Sequence, residues 1–395
     1  MSGAEIDAFA ALQQYSNPYQ PWDSRISAAL QSSVAGGIVG RYIATYEHDL
    51  SSNSGGLTEL LASILVDDQI DYLHIEPALG RLEWVAQSGC DESLAAGATL
   101  ALLLTGARKS IDWRVRFRQP THLRWGRWRL PCIREMAVKG DRSSAKIEYL
   151  DSNLVNGALE IFAAEDHATG CQMFHKIGAG NSVILLPRSE GPQHAWKDHD
   201  ELKRLSVKTV GPVMARSMEK AFALLSDYSS TYRQWVDRAI AEIVISRHKL
   251  GTSQSGSWRE APGAVQMSWS PDPLPVAEAL VHEASHQYAY QVFRVGSLDD
   301  GSDRAHYYSP PTRRNRPLDR ILFAYHAFAN ILLFYREILK AGYPDKARVT
   351  GRIKQCLDVL SELDVPLRNS GALTPFGQSL YRPLAVNVAS SAYVG

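Results

Sequence analysis

Two histidines and a glutamate stand in the run His282-Glu283-Ala284-Ser285-His286, an HExxH. Residues four apart on an α-helix project from one face, so imidazoles at this spacing can share one metal ion. Glu283 falls about 60° around the same helix from His286, within reach of a ligand bound to that metal. The flanking residues predict the helix. Pro275 suits a first turn, Ala277 to Val292 contains no Gly or Pro, and Leu280, Val281, Ala284 and Tyr288 recur at three- and four-residue spacing. Two imidazoles hold a catalytic metal poorly, so a third ligand must come from elsewhere. His326 is the first candidate. It lies in a second predicted helix, Pro317 to Ala341, among Leu322, Phe323, Phe328, Ala329 and Leu333, where an unsatisfied imidazole is costly. A metal would satisfy it, and so would a neighbour such as Asn330, one turn on. His306, in a polar loop, ranks second, with His248, His194 and His199 behind it. Between the two helices, Arg304, Arg313, Arg314, Arg316 and Arg320 could grip a carboxylate through both oxygens, or form a solvated basic loop.

These elements sit in a 395-residue chain with 42 Lys+Arg against 42 Asp+Glu and 45% hydrophobic residues. The balance gives no support to a general nucleic-acid binder, and the four separated cysteines none to a zinc ribbon or disulfide scaffold. The acidic, poorly apolar start is not that of a secretory leader, and the longest apolar stretch, Leu94 to Ala107, is too short to cross a membrane. A cytoplasmic protein is expected. Residues 1 to 110 read as mostly helical, with a turn at Ser51 to Gly56. Ile111 to Leu150 alternates as a sheet does, with further strands at Val183 to Leu186, Ile240 to Ser246 and Ala264 to Ser270. Val207 to Leu225 and the chain from Pro275 onward read as helical, and Gly251 to Gly256 as a loop. Charge is uneven: Ser51 to Leu100 carries eight acids and one base, whereas Arg108 to Lys139 carries ten bases interleaved with Trp113, Trp125 and Trp128. That second stretch reads best as a twisted sheet with an arginine-rich outer face, and otherwise as a platform for an acidic peptide or single-stranded nucleic acid.

The motifs in order resemble a family. The HEASH helix, Tyr307-Tyr308-Ser309-Pro310, Arg316-Pro317-Leu318, His326-Ala327-Phe328 and Leu373-Thr374-Pro375-Phe376-Gly377 are similar to the HExxH-motif peptide-modification proteins found beside biosynthetic clusters for ribosomally made, modified peptides. The likeness covers about residues 255 to 380, including Pro262-Gly263. Where many members carry an aromatic residue after Ser-Pro, this chain has Pro311-Thr312. The resemblance implies an iron(II) and 2-oxoglutarate dependent β-hydroxylase acting on a peptide or amino acid. By position, His282, His286 and His326 would bind iron, Arg316 with Tyr308 would hold the distal carboxylate of 2-oxoglutarate, and Glu283 would balance charge beside three neutral ligands. The products would be succinate, CO2 and a hydroxylated C–H.

A zinc metallopeptidase with Glu283 as general base is the competing expectation from the motif alone. Against it stand the absent leader, the arginine-rich loop and the downstream resemblance. A non-catalytic peptide carrier using the Arg/Trp segment is a third. The expected architecture is α+β and mostly helical. A zincin-like HExxH helix would lie in a C-terminal helical domain (201–395), preceded by a helical and β-containing region (1–200). A jelly-roll barrel is disfavoured, since its ligands lie on strands and loops. The acceptor would be a ribosomal precursor peptide, a carrier-bound amino acid or a free small molecule; oligomeric state leaves no signature here.

Overall fold

A computed structural model describes residues 11–27, 111–125, 127–140, 144–162, 166–168, 172–177, 183–187, 207–246 and 255–390, with isolated positions between 29 and 44. The helical reading of residues 45–110 and the acidic segment lie outside the described residues.

The first sheet is an antiparallel meander of β1 (Ile111–Trp125), β2 (Trp128–Gly140), β3 (Ser144–Asp151), β4 (Asn156–Phe162) and β5 (Asp166–Ala168), with β6 (Gln172–Met173) paired to β2. Alternation sets its faces: Trp113, Val115 and Phe117 are buried while Arg114 and Arg116 are exposed. Arg116 is ion-paired to Glu135 at 3.1 Å on the neighbouring strand, whereas the acidic segment expected to pair with this basic face lies outside the described residues. Trp113 and Trp128 are core residues, so neither offers a ring for stacking.

The chain passes through the single residue Phe174 into a second sheet, ordered β10-β11-β9-β8-β7. Here β7 (His175–Ile177) and β10 (Ser255–Ser257) are antiparallel edges. Between them β8 (Val183–Leu186), β9 (Glu242–Ser246) and β11 (Ala264–Ser268) run parallel. Every residue of β9 and β11 is buried. Gly256, expected in a loop, belongs to β10. This sheet takes strands from both sides of residue 200, so the boundary expected there runs between paired strands. Neither sheet closes on itself.

From residue 212 onward the fold has the helices α1 (Pro212–Tyr228), α2 (Ser230–Ala239), α3 (Pro273–Val295), α4 (Leu318–Lys340), α5 (Lys346–Asn369) and α6 (Pro375–Ser390). The Asp272 carboxylate accepts from the Leu274 amide at 3.1 Å and Pro273 opens the first turn, so α3 starts two residues earlier than Pro275 suggests. Gly296 ends it. Fourteen of the residues of α3 are buried, which places this helix inside the core rather than on it. A hairpin of β12 (Tyr307–Ser309) and β13 (Arg314–Arg316) joins α3 to α4. Residues 11–27, with a 3-10 turn at Gln13–Tyr15, dock against α3, α4 and α6. No helix among the described residues is long and apolar enough to cross a membrane.

Candidate metal centre

The HExxH run occupies the middle of α3, as its periodicity demands, and its two imidazoles face the same way. Their ring centroids are 4.6 Å apart and nearly perpendicular. His282 keeps 28% of its side chain exposed, and His286 is half-buried with its Nδ1 inside. Helix α4 runs antiparallel alongside. Phe323 packs on His286 (6.0 Å) and Tyr290 (5.0 Å), Phe328 packs on His282 (6.2 Å), and Tyr335 bonds Glu278. The result is an aromatic wall over a histidine pair that opens to solvent at His282.

Burial holds the His286 pKa well below its usual value, and the nearby His282, His326 and Arg320 add to the shift. A neutral imidazole is the form that binds metal. Glu283 is 1% exposed, with Oε1 3.9 Å from His282 Nε2 and Oε2 lacking any protein partner. His286 Nδ1 is also buried without a partner. Buried polar atoms rarely stay unsatisfied, and His326 Nδ1 is a third such atom on the neighbouring helix.

His326 lies near His286, against the Ser285 backbone, but does not join the pair through Nε2. It is wholly buried, and its Nε2 lies 3.0 Å from the Tyr15 carbonyl oxygen, beside Trp235. Phe328, which faces His282, lies two residues further along α4 and therefore about 200° around it. His326 and Phe328 consequently leave opposite sides of the helix. Among the described residues no three His, Cys, Asp or Glu side chains converge as a ligand group. His282 and His286 stand as a pair with the Glu283 carboxylate beside them, and Nε2 of His326 is bonded elsewhere. His306 is exposed in its loop, and His194, His199 and His248 lie outside the described residues.

The hairpin separates the other expected pair. Tyr308 is opposite Asn315 and Tyr307 opposite Arg316, and directly opposed residues share a face. Arg316 therefore leaves one face with Tyr307, while Tyr308, 52% exposed, leaves the other. The arginine beside the histidine pair is Arg320, in the first turn of α4. Its guanidinium lies 5.5 Å above the Phe323 ring, within reach of the Tyr290 hydroxyl and in the field of His286. Burial pushes the Tyr290 phenol up to about 12 despite that cation.

Sequence reasoning missed Glu278, one turn before His282. Its carboxylate accepts from Tyr335 Oη (2.7 Å) and Arg352 Nε (3.0 Å), and Arg352 lies 5.9 Å over Phe328. The i, i+4 spacing to His282 was a usable signal for Glu278, whereas Arg352 on α5 gave none. No protein-family model matches the chain, and a search of curated proteins finds no match.

Proposed function

We propose that this chain is an iron(II) and 2-oxoglutarate dependent oxygenase. It would hydroxylate a C–H bond, at a side-chain β-carbon, of a peptide or amino-acid substrate in natural-product biosynthesis. The observation that carries this reading is the position of Arg320. A guanidinium repels a metal cation, so placing one beside two metal-binding imidazoles is favourable when an anion lies between them. Its planar fork suits a carboxylate, and 2-oxoglutarate has two. The order of motifs shared with the peptide-modification family points the same way.

In this reading His282 and His286 hold the metal as neutral ligands, and Glu283 supplies a buried negative charge beside them. Phe323 and Phe328 limit water on the closed side, leaving approach from the exposed flank of His282. Iron with 2-oxoglutarate would supply oxidative decarboxylation coupled to oxygen transfer.

One observation favours a second reading, a zinc metallopeptidase. Glu283, next to His282 and with a free oxygen, could act as a general base toward metal-bound water.

The test is succinate release from 2-oxoglutarate by anaerobically iron-loaded protein on admission of air, with candidate peptides present. Wild type is expected to release succinate. Arg320→Gln should raise the concentration of 2-oxoglutarate needed for half-maximal rate by roughly 10- to 100-fold, the worth of a charge-assisted contact. Absent succinate together with tightly bound zinc and peptide cleavage that Glu283→Gln abolishes would replace the oxygenase with the peptidase.

A further inference from the structure

The partner of His326 is itself informative. Residues Tyr15 and Ser16 end a 3-10 turn, and both are fully buried. The last carbonyls of any helical turn lack partners within it, so burying them requires donors from elsewhere. Helix α4 supplies these in chain order. His326 Nε2 meets the Tyr15 carbonyl at 3.0 Å, and Asn330 Nδ2 donates to the Ser16 carbonyl at 2.9 Å. Further along the same stripe, the Glu337 carboxylate accepts from the Tyr19 hydroxyl at 2.9 Å. From α6, the Leu380 carbonyl accepts from Ser16 Oγ (2.7 Å) and Asn387 Nδ2 donates to Asn17 Oδ1 (3.2 Å). Tyr232 Oη donates to Asn330 Oδ1 at 3.1 Å, which fixes the amide so that its nitrogen faces the segment.

A carbonyl partner also fixes the imidazole: Nε2 must carry the proton and so offers no lone pair to a metal, while Nδ1, buried without a hydrogen-bond partner, keeps its own. The segment meanwhile reaches the metal helix from behind. Tyr15 packs on Tyr288 (5.7 Å) and Trp22 (5.7 Å), and Tyr288 stacks on Trp235 (4.4 Å) while donating to its carbonyl at 2.8 Å. Tyr288 is two residues past His286, so it leaves the side of α3 away from the histidine pair.

We propose that His326 is the donor that anchors the N-terminal segment Leu12–Trp22, its Nε2 committed to that bond and not to the metal, and that this segment braces the reverse face of the HExxH helix. The anchoring role stands on the contacts alone; only the metal part rests on the function proposed above.

The experiment uses the full chain and two readouts: cobalt(II) stoichiometry and affinity by visible absorption titration, and amide hydrogen exchange over residues 12–22 and 284–292. His326→Ala and Asn330→Ala should each raise exchange in the segment roughly five- to tenfold, the loss of one buried bond. His326→Gln, whose amide can still donate, should restore much of the protection. In all three, cobalt should bind at the wild-type stoichiometry, whereas His282→Ala and His286→Ala should lose it with the segment still protected. Loss of cobalt in His326→Gln and His326→Ala with Asn330→Ala unaffected would overturn the proposal. Unchanged exchange in both alanine variants would overturn it equally. If wild type binds no cobalt, the metal centre fails as a reading, and the exchange arm still decides the anchor. Should His326→Ala not fold, Asn330→Ala and His326→Gln carry the comparison.

Discussion

His326 shows how one buried side chain ties pH to stability. Burial holds its pKa at about 4, against 6.5 for the free group, and the bond to the Tyr15 carbonyl offsets only part of that shift. Between those values the unfolded chain takes up a proton that the folded chain refuses. The contribution is therefore complete above about pH 6.5 and is lost as pH falls toward 4. From pH 7 to 4.5 the loss from this residue is on the order of 2–3 kcal/mol. His286 adds a loss of the same sign, since its pKa is also depressed. Urea midpoints measured at both pH values should fall further on acidification for wild type than for His326→Gln. Equal falls would show that another group carries the acid sensitivity.

At the scale of the element, α3 serves three surfaces at once. One face carries His282 and His286, a second carries Tyr288 into the aromatic cluster, and a third carries Gln287 into the turn between β10 and β11. The Gln287 side chain accepts from the Gly263 amide (2.9 Å) and donates to the carbonyls of Ala264 (3.2 Å) and Ala261 (3.4 Å). Gly263 has φ +72°, a left-handed conformation that glycine adopts without strain. Gln287 thus fixes the helix against the sheet one residue from His286. Gln287→Ala should cost about 2–3 kcal/mol, because it strands a buried amide and carbonyls. Thermal or urea unfolding checks this; a loss under about 0.5 kcal/mol would mean that water or a shifted turn takes over those bonds.

Across the whole molecule, two sheets of different kind meet where the chain crosses at Phe174. Phe174, Leu186 and Val244 form a small apolar cluster there, with Ile184 and Trp258 against it. Beside it Arg124 at the end of β1 pairs with Glu242 of β9 at 2.5 Å, and their side chains are 9% and 3% exposed. Breaking such a pair from one side takes the ion-pair partner from a carboxylate that stays in the interior. Arg124→Ala should therefore destabilise by about 3–5 kcal/mol. Equilibrium unfolding followed by tryptophan fluorescence would report it, and a loss below 1 kcal/mol would show that Glu242 is compensated by other groups. Exposed pairs such as Lys146 with Glu148 should give no measurable loss when cut.

What the sequence determined by itself is what repeats within an element. The three- and four-residue spacing around HEASH fixed α3 and put His282 and His286 on one face. The alternation from Ile111 fixed which of Trp113, Arg114, Val115 and Arg116 turn inward. Periodicity reports orientation about an element's own axis, because 3.6 and 2 residues per repeat are local geometry. Only the tertiary structure decided which element each face meets. His326 was legible as a buried imidazole needing a partner, but that partner stands 311 residues away in the chain, at Tyr15. Arg316 and Arg320 look alike in sequence, yet hairpin register turns Arg316 away from Tyr308, while the first turn of α4 carries Arg320 to His286. Such choices depend on how separate faces pack, and no spacing along a single chain encodes them.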